Sequence, residues 1–156
     1  MILLAILEDD ERRQETMKRL LADAFPMAEI VLFDNAPDMV AWLTERLADV
    51  DLLCLDHDLV FTPARAGGRS DPGTGQDVVD FLVTRPASQP VVVHTSNWGA
   101  VAGMVRPLEQ AGWRVWRVIP FADLKWLQTA WLPAIREILR QRGGAELAVA
   151  PDAAHT

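Results

Sequence analysis

Polar side chains that could do chemistry gather in three short clusters, each directly after an apolar run typical of a buried strand. The first cluster is acidic, the second places a histidine between two aspartates, and the third joins a histidine to hydroxyl and amide groups. Their members are Glu8, Asp9 and Asp10; Asp56, His57 and Asp58; and His94, Thr95, Ser96 and Asn97. Ligands of open parallel sheets bind outside the carboxyl ends of the strands. We therefore expect one pocket to collect all three clusters.

The acidic residues of the first two clusters predict a site for a divalent cation. If Glu8 or Asp9 comes within ~4 Å of Asp56, each carboxylate pair repels by about 4 kcal/mol at an effective dielectric constant near 20. A proton or a cation must offset this repulsion, and an all-oxygen ligand set favours Mg²⁺ or Mn²⁺. Because Mg²⁺ often completes its shell with water and a ligand phosphate, the expected partner is a phosphoryl group whose oxygens also contact Thr95 or Ser96.

Short apolar runs alternate with segments of helical periodicity, and this pattern predicts five strand–helix pairs. The expected fold is a doubly wound α/β domain with a five-stranded parallel sheet in the flavodoxin-like order 2-1-3-4-5, which places strands 1, 3 and 4 side by side. Strand 5 has an alternating pattern that favours a sheet edge. Pro133 should kink or split the last helix. The predicted strands are residues 2–7, 29–33, 50–55, 91–94 and 115–119, and the predicted helices about 11–25, 37–48, 76–83, 100–111 and 123–142.

Composition narrows the class of protein. The chain has 156 residues, 50% of them hydrophobic, which fits one domain, predicted here as residues 1–142 with a disordered tail over 143–156. A net charge of −7 disfavours binding to double-stranded DNA. No apolar stretch approaches the ~20 residues of a membrane span, no signal peptide is expected, and the single Cys54 cannot form an internal disulfide. We expect a cytoplasmic protein that does not bind membranes.

The motifs resemble those of response-regulator receiver domains over about residues 1–142. In that family an acidic pair follows strand 1, a phosphoacceptor aspartate ends strand 3, and Thr or Ser ends strand 4. An aromatic switch residue precedes a lysine and Pro-Phe at the end of strand 5. The matching positions are Glu8 and Asp9, Asp56, Thr95 and Trp116. The resemblance implies a flavodoxin-like fold and a metal site at Glu8, Asp9 and Asp56.

The chain departs from the receiver pattern in two places. Ile119 stands where the lysine should be, so the cation that grips the phosphoryl group is missing. The stretch from Asp56 to Gly75 is longer than the usual receiver loop and could be a lid or a substrate contact. The remaining motifs are similar to a divergent branch, the cyclic-phosphate processing receiver domain. They are LDHDL at 55–59, TGQD at 74–77, and HTSN at 94–97 followed by Gly99 and Met104.

This second resemblance implies action on a cyclic phosphate of a nucleotide or an RNA end. Opening such an ester requires a base for water and an acid for the leaving oxygen, and His57 and His94 could serve because histidine ordinarily changes charge near neutral pH. The metal would neutralise phosphate charge in place of the missing lysine. The remaining implied roles are orientation by Asp56 or Asp58, and binding of phosphate oxygens by Thr95, Ser96 and Asn97.

Strand geometry leaves the direction of the histidines open, because successive residues of a strand point to opposite faces. If strand 3 continued past Leu55, His57 would point away from Asp56 and Asp58, and His94 would likewise diverge from Thr95. The histidines reach one pocket only if the strands have ended and the backbone has turned.

Two other functions remain open. In the first, Asp56 is a phosphoacceptor and Thr95 with Trp116 relays its phosphorylation to a partner protein. In the second, the chain is a degenerate receiver that acts only as a protein-binding module. The six tryptophans are mostly candidates for the core, although Trp116, Trp126 and Trp131, near strand 5 and the last helix, could include an exposed patch for a homodimer or another protein.

Overall fold

The computed structural model of the protein describes residues 1–60 and 71–149, with side chains up to residue 143. Five parallel strands form one sheet in the order β2-β1-β3-β4-β5, which confirms the predicted fold class and strand order. The strands are β1 (Leu3–Leu7), β2 (Glu29–Phe33), β3 (Leu52–Leu55), β4 (Val91–His94) and β5 (Val115–Val118). The helices are α1 (Glu11–Ala24), α2 (Ala36–Arg46), α3 (Gly75–Leu82), α4 (Trp98–Gln110) and α5 (Leu132–Val149).

The sheet is covered on both faces, which explains why its central strands are apolar throughout. Leu3, Ala5 and Leu7 pack with the α2, α3 and α4 side of the core. Leu4 and Ile6 pack with the α1 and α5 side. Cys54 is buried in β3, and burial raises the pKa of its thiol, as expected of an inert structural cysteine.

The last helix is irregular just before Pro133. A π-helical segment over Leu127–Trp131 precedes α5, and Pro133 is the second residue of α5. Because proline has no N–H to donate, the regular hydrogen-bond ladder cannot continue through it. The backbone is helical on both sides of the π-helical segment, so the helix is locally distorted and not split.

The last helix is longer than predicted. It was expected to end at residue 142, but α5 continues to Val149, where Ala, Glu and Leu have high helix propensity. Trp126 and Trp131 are completely buried against the sheet, as expected of core tryptophans, so neither contributes to an exposed patch. Trp116 is partly buried.

Parallel pairing aligns the ends of the three strands that carry the polar clusters. Leu7 pairs with Leu55, and Leu55 pairs with Val93. The residues that come next, Glu8, Asp56 and His94, therefore lie at the same level of the sheet and on the same face. Within the part of the chain that the structure describes, no helix has the length and apolarity to span a bilayer.

Candidate functional site

Glu8, Asp56 and His94 form a buried group at the carboxyl end of the sheet. Glu8 and His94 are fully buried and Asp56 is 5% exposed. One side-chain oxygen or nitrogen of each residue lies within 4.8 Å of the others. Among the described residues, the neighbouring Asp9 is not part of this group.

A hydrogen bond joins Glu8 to His94. His94 Nε2 lies 2.9 Å from Glu8 Oε2, and the Asp10 backbone N–H donates to Glu8 Oε1 at 3.3 Å. The His94 ring packs against Trp126, with 5.8 Å between the ring centroids. Among the described residues, His94 Nδ1 has no hydrogen-bond partner. A carboxylate buried this deeply is tolerated only because a polar partner faces it.

Arg13 supplies a positive charge that the sequence analysis missed. Its Nη1 lies 3.6 Å from Glu8 Oε1 and 4.0 Å from Asp56 Oδ2. The guanidinium rests over the Trp126 ring at 5.3 Å. One signal could have revealed it: a basic residue in the first turn of a helix opposes the helix dipole, which indicates that an acidic partner lies nearby.

The burial of Asp56 raises the pKa of its carboxyl group from an ordinary 3.8 to about 7. Loss of solvation is the largest cause, the nearby His94 opposes it, and repulsion by Glu8 adds to it. The His57 backbone N–H donates to Asp56 Oδ1 at 2.7 Å. Burial also raises the pKa of Asp9, although the hydrogen bond from the Val60 N–H opposes that shift. Asp56 therefore gives up its proton at a higher pH than an ordinary carboxyl group does.

His57, Asp58 and Asn97 form a second group at the surface. His57 Nδ1 lies 2.7 Å from Asp58 Oδ1, and Asn97 Nδ2 donates to both Asp58 oxygens at 3.3 Å. The hydrogen bond with His57, aided by the one from Asn97, lowers the pKa of the Asp58 carboxyl group. A carboxylate fixed on Nδ1 orients the ring and leaves Nε2 for other partners.

The structure thus places the two histidines in different groups. His94 joins Glu8 and Asp56 in the buried group, while His57, beyond the end of β3, joins Asp58 and Asn97. The backbone N–H of His57 links the two groups, because it donates to Asp56.

The other predicted site residues differ in their burial and in their hydrogen-bond partners. Asp9 Oδ2 accepts from the Val60 N–H. Thr95 is buried, and its Oγ1 accepts from the Asn97 N–H at 3.1 Å. Ser96 is exposed, and Asp10 caps α1 through the Arg13 N–H. Most of the predicted lid, residues 61–70, lies outside the described residues.

The motif at 74–77 supports the site through a close backbone approach. The Gly75 N–H donates to the His57 carbonyl oxygen at 2.9 Å. A Cβ atom on Gly75 would lie 1.9 Å from the Asp56 carbonyl oxygen. The start of α3 can therefore lie against the end of β3 only because residue 75 is glycine.

Replacing Gly75 with alanine should destabilise the protein by about 1–3 kcal/mol, the usual cost of overpacking a tight contact. The clash is with backbone, which cannot move aside cheaply. Urea unfolding followed by fluorescence measures the loss. Gly143→Ala is the matched control: nothing lies within 4 Å of its Cβ position, and alanine favours a helix over glycine by ~1 kcal/mol. Equal midpoints for Gly75→Ala and the wild type would show that this approach is not tight.

The chain resembles known proteins in sequence and in fold. The sequence profile described as "Cyclic-phosphate processing Receiver domain" matches residues 4–110. No curated protein has significant sequence similarity to the chain.

Several solved receiver domains share the fold. The phosphorylated cyanobacterial phytochrome response regulator RcpA superposes with a TM-score of 0.65 at 18% identity, covering 87% of this chain and 91% of that one. A response regulator receiver domain from Rhodospirillum rubrum gives 0.61 at 18% identity, with 88% and 90% covered. The response regulator domain of Thermotoga maritima CheB gives 0.61 at 16% identity, with 90% and 95% covered.

Proposed function

The chain belongs to the cyclic-phosphate processing receiver domain family, and on this basis we propose that it hydrolyses a cyclic phosphate ester of a nucleotide or RNA end. The observation that carries the proposal is the contact of 2.7 Å between His57 Nδ1 and Asp58 Oδ1, directly beside Asp56, whose pKa is about 7. A base and an acid therefore lie next to each other.

His57 is the general base of the proposed reaction. Asp58 accepts from Nδ1–H and holds the tautomer in which Nε2 has a free lone pair, while Asn97 fixes Asp58 in turn. Nε2 removes a proton from a water molecule as the water oxygen attacks phosphorus. The side chain of His57 is 18% exposed, so water reaches it.

Asp56 is the general acid. A group whose pKa is close to the working pH is the most effective proton donor, and the Asp56 pKa of about 7 meets this condition. The phosphorus–oxygen bond to one sugar oxygen breaks, and that oxygen takes the proton from Asp56. The water oxygen stays on phosphorus, and the product is a phosphate monoester.

His94 has a different role here from the proton carrier expected from the sequence. Because it is fully buried and bonded to Glu8, it lies behind the acids and does not face a substrate. We assign it as a positioning residue: His94 lowers and Glu8 raises the pKa of Asp56, and the balance between them sets the strength of the acid.

Receiver domains generally bind Mg²⁺ at an acidic pocket, and the donor set here fits a divalent cation. The repulsion between Glu8 and Asp56 that raises the Asp56 pKa is what a cation would relieve. Glu8 would hold it, with Asp9 at the rim, and Asp56 would join them only where it has given up its proton; these oxygen ligands suit Mg²⁺ or Mn²⁺. A bound cation would neutralise part of the phosphate charge.

The remaining polar residues complete the proposal. The exposed Ser96 hydroxyl is available to a phosphate oxygen, whereas Thr95 and Asn97 are held in the hydrogen bonds described above and support the loop after β4. Only one cysteine is present and it is buried and unpaired, which supports the cytoplasm as the place of action.

A phosphoacceptor switch is the second candidate, because Asp56 ends β3 and receiver domains interact with phosphoryl groups and partner proteins. One feature favours hydrolysis over it. Ile119, at the lysine position, is 44% exposed and offers no charge to a phosphoryl group.

One experiment separates these functions. The protein is incubated with MgCl₂ or MnCl₂ and 2′,3′-cyclic AMP, and a parallel sample receives acetyl phosphate and is weighed intact by mass spectrometry. We expect conversion of the cyclic nucleotide to a monoester and no lasting increase in protein mass. A stable added phosphate that is lost in Asp56→Asn, with the cyclic nucleotide intact, would show a signalling receiver. No change in either sample would indicate a protein-binding module.

A further inference from the structure

A cavity of about 230 Å³ lies between the start of α1, the turn after β4 and the loop after β5. Glu8 and Asp56 do not line it; Arg13, which does, links it to them. Arg13, Ser96 and Phe121 line it. We propose that this cavity is the substrate subsite, in which Arg13 binds the phosphate and Phe121 packs against the base of a nucleotide. The inference rests on the proposed function for its substrate class and adds the residues that recognise that substrate.

Arg13 is suited to bind phosphate. Its distances of 3.6 and 4.0 Å to Glu8 and Asp56 are longer than hydrogen bonds, so these acids attract the guanidinium without saturating its donors. Stacking on Trp126 holds the group in place before any ligand arrives. A guanidinium presents paired N–H donors that match phosphate oxygens. Arg13 therefore supplies, from α1, a cation next to Asp56.

The loop after β5 presents an aromatic ring at the cavity. Phe121 is 51% exposed and lines the cavity, so its ring is available to a ligand there. The next two residues, Ala122 (φ 45°) and Asp123 (φ 57°), have left-handed backbone, which is uncommon outside glycine. An ion pair of 3.2 Å between Arg12 and Asp123 joins this loop to α1. Strained backbone of this kind occurs preferentially at ligand sites.

The size of the cavity determines which part of the nucleotide it can enclose. A volume of about 230 Å³ is below the roughly 300–1,000 Å³ of pockets that enclose a whole ligand. The cavity accommodates a phosphate and its sugar, and the base then rests at the rim against Phe121. Stacking of bases on aromatic side chains is a common and sequence-tolerant mode of nucleotide binding.

Equilibrium binding by calorimetry tests the subsite with two probes that the protein does not consume, 3′-AMP and inorganic phosphate. Phe121→Ala should weaken 3′-AMP binding about tenfold and leave phosphate binding unchanged. Trp98→Ala is the matched control, because Trp98 is also exposed and does not line the cavity; it should leave both affinities unchanged.

Arg13→Gln should weaken the binding of both probes by about tenfold or more, and Arg13→Lys should recover part of the lost affinity. Arg19→Gln, an exposed arginine on the same helix, is the control. The subsite proposal is overturned if Phe121→Ala binds 3′-AMP with the affinity of the wild type, or if Arg13→Gln binds both probes with the affinity of the wild type. If binding follows the prediction but cyclic nucleotides stay intact, the proposed hydrolysis fails while the subsite stands. If Phe121→Ala turns over cyclic nucleotides with an unchanged KM, the subsite fails while the hydrolysis stands.

An RNA trinucleotide with a 3′-phosphate identifies the source of the nucleotide. If the trinucleotide binds more tightly than 3′-AMP, the ligand is the end of an RNA chain. If it binds equally or more weakly, the ligand is a free nucleotide. In both cases Phe121→Ala must lower the affinity for the subsite to hold.

Discussion

Replacing His57 with glutamine should lower kcat for opening 2′,3′-cyclic AMP by about 10²–10⁴-fold, the usual contribution of a general base. Glutamine retains a polar side chain of similar length but cannot take a proton from water. The fold should be unaffected, because His57 lies beyond the end of β3 and is partly exposed. Initial rates at saturating substrate, with circular dichroism as a check on folding, give the measurement.

The variant Asp58→Asn is compared with His57→Gln. It keeps a side chain near Nδ1 and removes the charge that orients the ring, so kcat should fall in the same direction by a smaller factor. If His57→Gln keeps more than half of the wild-type kcat, His57 is not the base.

The free energy of unfolding of the metal-free protein should fall by about 3 kcal/mol between pH 5 and pH 8 because of Asp56. The folded-state pKa of about 7 is above the ordinary 3.8, so the folded protein binds this proton more tightly than the unfolded chain does. Stability from this group is complete below pH 3.8 and is lost as the pH rises through 7. Urea unfolding across this pH range measures the loss.

Asp56→Asn isolates the effect of that carboxyl group. Its amide stays neutral, so the variant should lack this loss and be more stable than the wild type at pH 8. Asp23→Asn, an exposed carboxylate on α1, should follow the wild-type curve. Mg²⁺ or Mn²⁺ should stabilise the wild type more at pH 8 than at pH 5. Parallel curves for Asp56→Asn and the wild type would show that Asp56 is not protonated at neutral pH.

The architecture was predictable because its signals are local. Runs such as Leu3–Leu7 are apolar throughout, which is typical of parallel strands buried on both faces. The polar residues after β1, β3 and β4 follow from the rule that places ligands at the carboxyl ends of strands, and the structure does bring all three clusters to that edge.

The arrangement within the site could not be predicted, because it depends on the register between distant strands. The pairing of Leu55 with Val93 decides that His94, and not Thr95, lies level with Asp56. Arg13 enters the site through packing on Trp126, whose burial is set by the route of the chain after β5. The helix propensity of the residues after Gly144 outweighed the unfavourable effect of Gly143 and Gly144 on the helix, and this outcome depends on small differences in free energy.

The central claim is that water activated by His57 opens the ester directly, without transfer of the phosphoryl group to Asp56, and a single-turnover reaction in H₂¹⁸O tests it most directly. Protein in excess over 2′,3′-cyclic AMP, with Mg²⁺ or Mn²⁺, is quenched in acid at several times within one turnover, and product and protein are weighed. We predict one ¹⁸O atom in the monoester and an unchanged mass at every time for the peptide that contains Asp56. A nucleotide adduct on that peptide, unlabelled product, or no product at all, would contradict the account.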